Sequence, residues 1–350
     1  MMHLRIGSRG SQLALWQSNH IAARLRGLGH TTEIVIVKTT GDAMQDPAFA
    51  AKKPVTPVDG KGIFIKEIEE ALLAKTIDLA VHSLKDLPTE IDARFALPAI
   101  PERADARDAL LAPEWVQIHT LPDGARVGTT SPRRKAQLLA HRPDLQFVEI
   151  RGNIDTRLRK LAAGECDALV LACAGIDRLG ARLLKPVELD PVHPEHGREP
   201  HVECVTHADH DHLEEHPALH EPAGQSDWIR QRFDSEFLCP APGQGALAVE
   251  TLADYVDVVC AVAAMDDAAT RYAVEAERAL LHALGGGCSL PVGAWCVGKK
   301  LVAVVTSPDG EEMLTVEFAA AREETAQQLG ARAAADLVKR GARELLQAYA

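Results

Sequence analysis

Residues 126–172, RVGTTSPRRKAQLLAHRPDLQFVEIRGNIDTRLRKLAAGECDALVLA, switch repeatedly between two periodicities. Short apolar runs at Arg126–Thr129, Gln146–Ile150 and Ala168–Ala172 read as strands. The stretches between them, Pro132–Ala140 and Ile154–Ala163, place apolar residues at helical spacing. Strands and helices in strict alternation, joined by short connections, imply a parallel sheet covered by helices. The same rhythm runs through Leu4–Gly7, Ser11–Leu28 and Glu33–Lys38, and, after a Gly/Pro/Lys loop, through Ile63–Thr76 and Asp78–His82. A proline-punctuated crossing, Pro88–Pro101, follows, so the sequence predicts two α/β units. Beyond Gly243-Gln244-Gly245 come a strand at Ala246–Glu250 and a helix at Ala268–Leu284 ended by Gly285-Gly286-Gly287. The remainder reads as a small α+β unit. Its strands are Val292–Val297, Leu301–Thr306 and Glu312–Phe318, with a Ser307-Pro308-Asp309-Gly310 turn and one long helix over Arg322–Tyr349.

Composition bounds the function. With 350 residues, 46% of them hydrophobic, the chain can bury the cores of two or three domains. The longest apolar run, Val258–Met265, is too short to span a bilayer, and Met1-Met2-His3-Leu4-Arg5 passes into a strand without a signal-peptide core, which predicts a cytoplasmic protein. Seven cysteines without CxxC spacing predict reduced thiols. The net charge of −12 argues against nucleic acid or an anionic membrane as partner, and most of it, −10, falls within residues 186–236. That segment is rich in proline, acid and histidine (His193, His196, His201, His207, His210, His212, His216 and His220) and reads as a surface insertion. Asp209-His210-Asp211-His212 with Glu215 and His216 offers ligands for zinc, copper or nickel. Fixed structural-zinc spacing is missing, so the expectation is a solvated acidic loop and no metal.

In doubly wound sheets, ligands bind beyond the carboxyl ends of the strands, where helix N-termini present donors. Arginines cluster there: Arg9 with Ser11 after the first strand, Arg133 and Arg134 in the run Thr129–Arg134 that includes Ser131, Arg151 leading to Arg157, and Arg178 after Ala168–Ala172. One such arginine usually pairs with a surface acid, whereas the set together points to a ligand bearing many carboxylates or phosphates. A second constellation is His82-Ser83-Leu84-Lys85-Asp86-Leu87-Pro88. In a cationic cleft Asp86 would stay ionised and could stabilise a cationic intermediate. A third is Gly285-Gly286-Gly287-Cys288. Cys166, Cys173, Cys260 and Cys296 suit packing, but three glycines give Cys288 room for a bulky adduct, making it the candidate nucleophile or attachment point.

These motifs, with Arg5-Ile6-Gly7-Ser8-Arg9-Gly10-Ser11, Leu13-Ala14-Leu15-Trp16-Gln17, Gly60-Lys61-Gly62-Ile63-Phe64, Gly128–Arg134, Arg151-Gly152-Asn153, Thr156-Arg157-Leu158 and Ala241-Pro242-Gly243-Gln244-Gly245-Ala246, resemble the porphobilinogen deaminase family almost from end to end. The resemblance implies two domains like those of type II periplasmic binding proteins around a cleft, plus a small α+β C-terminal domain carrying the cofactor cysteine. Its implied boundaries are 1–102 with 243–265, 103–242, and 266–350. It implies a dipyrromethane cofactor on Cys288, held by Ser83, Lys85, Thr129, Ser131, Arg133, Arg134 and Arg157, and Asp86 as the catalytic carboxylate. It implies binding of porphobilinogen through Arg9, Ser11, Arg151, Arg157 and Arg178, with Lys61 and Phe64 on a loop covering the cleft. Four substrates joined head to tail, with loss of ammonia, would give hydroxymethylbilane from a monomeric enzyme. The segment 186–236 departs from the family by roughly forty extra residues, and Pro132 stands where a small or aliphatic residue is usual. The rival is a non-catalytic receptor or sensor of carboxylate ligands on the same fold, which would need neither Cys288 nor a third domain. A cysteine hydrolase would need a base such as His282 at that thiol.

Overall fold

The computed structural model describes residues 1–39, 65–180, 229–286 and 290–347. Expectations placed on Lys61, Phe64, Cys288 and the eight clustered histidines lie outside the described residues.

The chain opens with β1 (His3–Ser8), α1 (Gln12–Gly27) and β2 (Thr31–Ile36). Next come α2 (Lys66–Leu73), β3 (Leu79–Ser83), a single 3-10 turn at Leu84–Asp86, and β4 (Phe95–Ala99). It then crosses to a second sheet with β5 (Asp108–Leu111), β6 (Arg126–Gly128), α3 (Pro132–His141), β7 (Gln146–Val148) and α4 (Ile154–Ala162). The strand β8 (Ala168–Ala172), α5 (Cys173–Leu179) and β9 (Ile229–Arg232) complete that unit. A second crossing returns β10 (Leu247–Leu252) and α6 (Val256–Ala263) to the first sheet. Helix α7 (Ala268–Ala283) leads to β11 (Val292–Val297), β12 (Lys300–Thr306), β13 (Met313–Ala319), α8 (Ala326–Lys339) and α9 (Ala342–Gln347).

The two larger sheets share one plan. Their orders are β2-β1-β3-β10-β4 and β7-β6-β8-β5-β9. In each, three parallel strands are followed by an antiparallel strand that has crossed over from the other unit, and then by an edge strand. The shared plan gives the two α/β units expected from the sequence. The inner strands β3, β5 and β8 are apolar almost throughout because both faces are covered. The third unit is an antiparallel meander, β11-β12-β13, with α7 and α8 packed on it through Leu280, Leu301, Val305, Leu329 and Leu337.

Several elements differ from their sequence reading. The proline-punctuated crossing contains β4, whose Pro98 is tolerated because β4 lies at the sheet edge and need not donate on both sides. The long C-terminal helix is two helices. Thr325 and Gln328 form a capping box that starts α8, and Gly341, at φ +98, breaks the run before α9. β9 lies inside the segment read as insertion, and Cys260, expected to pack inside, is exposed.

One carboxylate joins all three units. Glu277, wholly buried on α7, accepts from Arg103 Nη1 at 2.6 Å and Nη2 at 3.0 Å, from Gly243 N at 2.7 Å, and from Cys296 N at 2.8 Å. Arg103 and Gly243 lie on the two crossings, and Cys296 lies on β11. Removing the carboxylate strands a guanidinium and two backbone donors, so Glu277→Ala should lose about 3–5 kcal/mol of stability, read as a lower urea midpoint, whereas loss of an exposed pair such as Arg151 with Glu149 should be near neutral.

Candidate active site

Strand β3 runs at full burial to His82 and delivers Ser83, Lys85 and Asp86 to the cleft at its carboxyl end. The register is held from three directions. Ser83 Oγ accepts from Gln17 Nε2 at 2.9 Å, Leu84 N donates to Ala246 O at 3.0 Å, and Lys85 Nζ donates to Gln244 Oε1 at 3.2 Å. Beneath them His82 Nε2 meets Glu250 Oε2 at 3.0 Å inside the first sheet. Leu84 and Leu87 are buried and pin the turn, leaving Asp86 exposed.

From the second sheet, β6 is followed by Thr129, whose buried hydroxyl accepts from Ser131 N at 3.2 Å. Ser131 caps α3 by accepting from Arg134 N at 3.4 Å, with Pro132 at the first helical position, where no amide partner is needed. The cap turns Arg133 and Arg134 inward onto Asp108, the first residue of β5. Asp108 accepts from Arg133 Nη2 at 2.7 Å, from Arg134 Nη2 at 2.7 Å and Nε at 3.1 Å, and from Gln244 Nε2 at 2.9 Å. Burial alone would raise its pKa, but the two guanidinium groups overcome that and hold it below the usual carboxylate range. Arg133 also donates from Nη1 to Cys239 O at 2.6 Å, and its buried Nε has no partner among the described residues. Gln244 sits between the two sheets, donating to Asp108 and Ala106 O while accepting from Lys85 and, through its carbonyl, from Arg103. The following Gly245 has φ +87, and a Cβ there would lie 2.6 Å from Ala104 O, so the two crossings can pass this closely only at glycine.

The other arginines divide. Arg157 is largely withdrawn from water, donates from Nε to Gly152 O at 2.8 Å, and has its pKa lowered by burial and then by Arg134. Arg178 donates to Gly245 O at 2.6 Å and lies over the Trp16 ring, and burial lowers it to about 10. Arg151 is exposed and pairs with Glu149 at 3.0 Å. Arg9 follows β1, and Ser11 caps α1 by accepting from Ala14 N at 3.4 Å. The structure therefore gathers Lys85, Arg133 and Arg134 around Asp108, with Asp86 beside Lys85 and Arg157 near Arg134, while Arg151 pairs at the surface. Sequence reasoning missed Asp108, and Gln17 and Gln244 stood in quoted motifs without a role. His282, weighed as a base for Cys288, lies 3.7 Å from Glu90. A cavity of about 510 Å³ lined by Arg103, Arg107, Ser235 and Trp295 contains none of the Asp108 cluster.

Two α/β units that set Lys85, Arg133 and Arg134 around Asp108 present more cations than carboxylates there, a setting suited to a carboxylate-rich ligand. Sequence comparison agrees: the family model described as "Porphobilinogen deaminase, dipyromethane cofactor binding domain" matches residues 4–199, and the one described as "Porphobilinogen deaminase, C-terminal domain" matches residues 271–339. The porphobilinogen deaminase of Xanthomonas euvesicatoria pv. vesicatoria (strain 85-10) is 41% identical over 352 residues, covering 99% of each chain, and that of Xylella fastidiosa (strain 9a5c) is 39% identical over 353, again 99% of each. Among solved structures, the methionine-binding protein MetQ aligns with a TM-score of 0.39 at 10% identity, over 75% of this chain and 89% of that one. The chain belongs to the porphobilinogen deaminase family.

The donor set fits the family's dipyrromethane. An unpartnered buried Arg133 Nε and two guanidinium groups sharing one carboxylate suit a ligand that brings acetate and propionate groups. Lys85 gives a direct readout. Burial pushes its pKa down to about 8 against the pull of Asp86, while the unfolded chain keeps a lysine near roughly 10.4. Between these values the unfolded chain holds a proton that the folded protein has lost, so stability from this group rises with pH across that window. Relative to Lys85→Met, which removes the desolvated charge, cofactor-free wild type should gain about 1–2 kcal/mol between pH 8 and pH 10, after allowing for the part of the side chain that water reaches. Urea midpoints of both proteins over that range check it.

Proposed function

We propose that this chain is a transferase that condenses four porphobilinogen molecules head to tail into hydroxymethylbilane. The observation that carries the reading is the Lys85-Asp86 turn set against the Asp108 cluster, where a carboxylate able to bear on a cation stands beside cations able to hold carboxylates. At each step the bond between the substrate's aminomethyl carbon and its nitrogen breaks and ammonia leaves. That carbon bonds to the free α-carbon of the preceding pyrrole, which loses its proton; water completes the final release. Joined to Cys288 by a thioether, the dipyrromethane supplies the first nucleophilic α-carbon. Ser83, Lys85, Thr129, Ser131, Arg133, Arg134 and Arg157 hold its side-chain carboxylates. Arg9, Ser11, Arg151, Arg157 and Arg178, with Lys61 and Phe64, orient the incoming substrate. Asp86 accepts a hydrogen bond from the substrate pyrrole nitrogen, stabilises the cation left as ammonia departs, and assists removal of the α-proton. Being exposed on its turn, it is open to each incoming ring.

In this reading the chain works as a cytoplasmic monomer of three bodies, 1–102 with 243–265, 103–242 and 266–350, and should sediment as one species of 37.8 kDa. The denatured intact mass should exceed the sequence mass by two condensed pyrrole units, and Cys288→Ser should abolish the excess. Asp86→Asn should keep the adduct and lose about a hundredfold or more in kcat. A protein that stays unmodified after incubation with porphobilinogen would overturn the enzymatic reading and leave the receptor in its place.

A further inference from the structure

The turn that presents Asp86 is fastened before it by Gln17 and Gln244, and after it from the third unit. Leu87, Pro88 and Thr89 belong to no helix or strand, so their carbonyl oxygens need outside donors. Arg278 supplies them from α7: Nη1 donates to Leu87 O at 3.4 Å, and Nη2 to Pro88 O at 2.5 Å and Thr89 O at 3.1 Å. From the end of that helix the chain passes through Leu284 and Gly285 to Gly286, where a Cβ would lie 3.1 Å from Thr89 Oγ1. One guanidinium thus ties the residues that follow Asp86 to the helix that precedes Cys288 in sequence.

We propose that Arg278 is a positioning residue that sets the placement of Asp86 relative to the chain carried on Cys288. Arg278 touches neither substrate nor reacting atoms in this role and acts through the backbone on which Asp86 stands. A planar guanidinium can serve three successive carbonyls, which the compact ammonium of lysine does less well. The inference rests on the reading of Asp86 given above.

The test uses holoenzyme of wild type, Arg278→Gln, Arg278→Lys, Asp86→Asn and the Asp86→Asn/Arg278→Gln double variant, with adduct mass, melting temperature, KM and single-turnover rate measured for each. Arg278→Gln should keep its adduct, melt within a few degrees of wild type, hold KM within about twofold, and lose about 10- to 100-fold in kcat, the scale of a misplacement near 1 Å. Arg278→Lys should recover part of that loss. In the Asp86→Asn background the same glutamine change should cost less than about twofold, because placement matters only while the carboxylate is present. Full kcat in Arg278→Gln, a loss that tracks missing adduct, or losses that multiply in the double variant would each overturn the proposal while leaving Asp86 in its role. Near-normal kcat in Asp86→Asn would instead sink the reading of Asp86 and this inference with it. Should Arg278→Gln fail to fold, Arg278→Lys decides: at least a threefold loss in kcat at unchanged KM supports the proposal, and full kcat overturns it.

Discussion

Everything in this molecule converges on a carboxylate that water does not reach. Glu277 has four donors for two oxygens, drawn from both crossings between the large sheets and from the first strand of the small one. A buried ion pair gains little over well-packed hydrocarbon, because desolvation offsets most of the Coulomb attraction. Its contribution is registration. A shift of any one of the three units past the others would leave an unpaired charge in the interior, so three separately folded cores are held to one arrangement. Arg103 extends the constraint by donating from Nε to Gln244 O at 2.7 Å, which brings the same junction to the edge of the cleft.

There a second buried carboxylate repeats the device with a different balance. Asp108 faces two arginines, so the cluster keeps one positive charge uncompensated, and Lys85 and Arg157 add to it. Two unit charges 4 Å apart interact by about 4 kcal/mol near a protein surface, enough to make such an excess a strong determinant of what binds. An acidic protein can therefore hold a carboxylate-rich ligand, because most of its negative charge lies within residues 186–236 and the cleft is cationic locally. Gln244 links the two carboxylates. It bonds Asp108 on one side and Lys85 on the other, so the cationic cluster and the turn that carries Asp86 are registered by one side chain.

Much of this was legible in sequence because the α/β rhythm is written in local periodicity. Arg126–Gly128, Pro132–His141 and Ala168–Ala172 fall within a residue or two of their expected bounds. The misses have physical causes. β5 is only four residues and begins with an aspartate, a composition that argues for a loop unless the arginines that neutralise it are known to arrive from a helix some twenty-five residues later. β4 carries a proline, and β9 is the sequence Ile229-Arg230-Gln231-Arg232, polar enough to pass for part of the acidic segment before it. The single long C-terminal helix looked continuous because its apolar spacing persists through Gly341, and only the backbone angle there reveals the break. Glu277 and Gln244 act through partners distant in sequence, which periodicity cannot show.

The expected ligand residues also illustrate why a local structural role and a binding role need not compete. Ser131 and Ser11 each accept a backbone N–H at a helix start, which uses a lone pair and leaves the hydroxyl proton to donate. Each stands where the unpaired amides and the dipole of its helix favour an anion. Arg133 spends Nη1 and Nη2 on Cys239 and Asp108, and those bonds hold its guanidinium plane rigid while Nε has no partner among the described residues. A side chain already fixed by its structural bonds loses little freedom when a carboxylate arrives, so each bond that looks like mere packing lowers the entropic cost of the contact beside it. Under the proposed condensation, donors fixed in this way would keep their geometry while the ligand grows one pyrrole at a time.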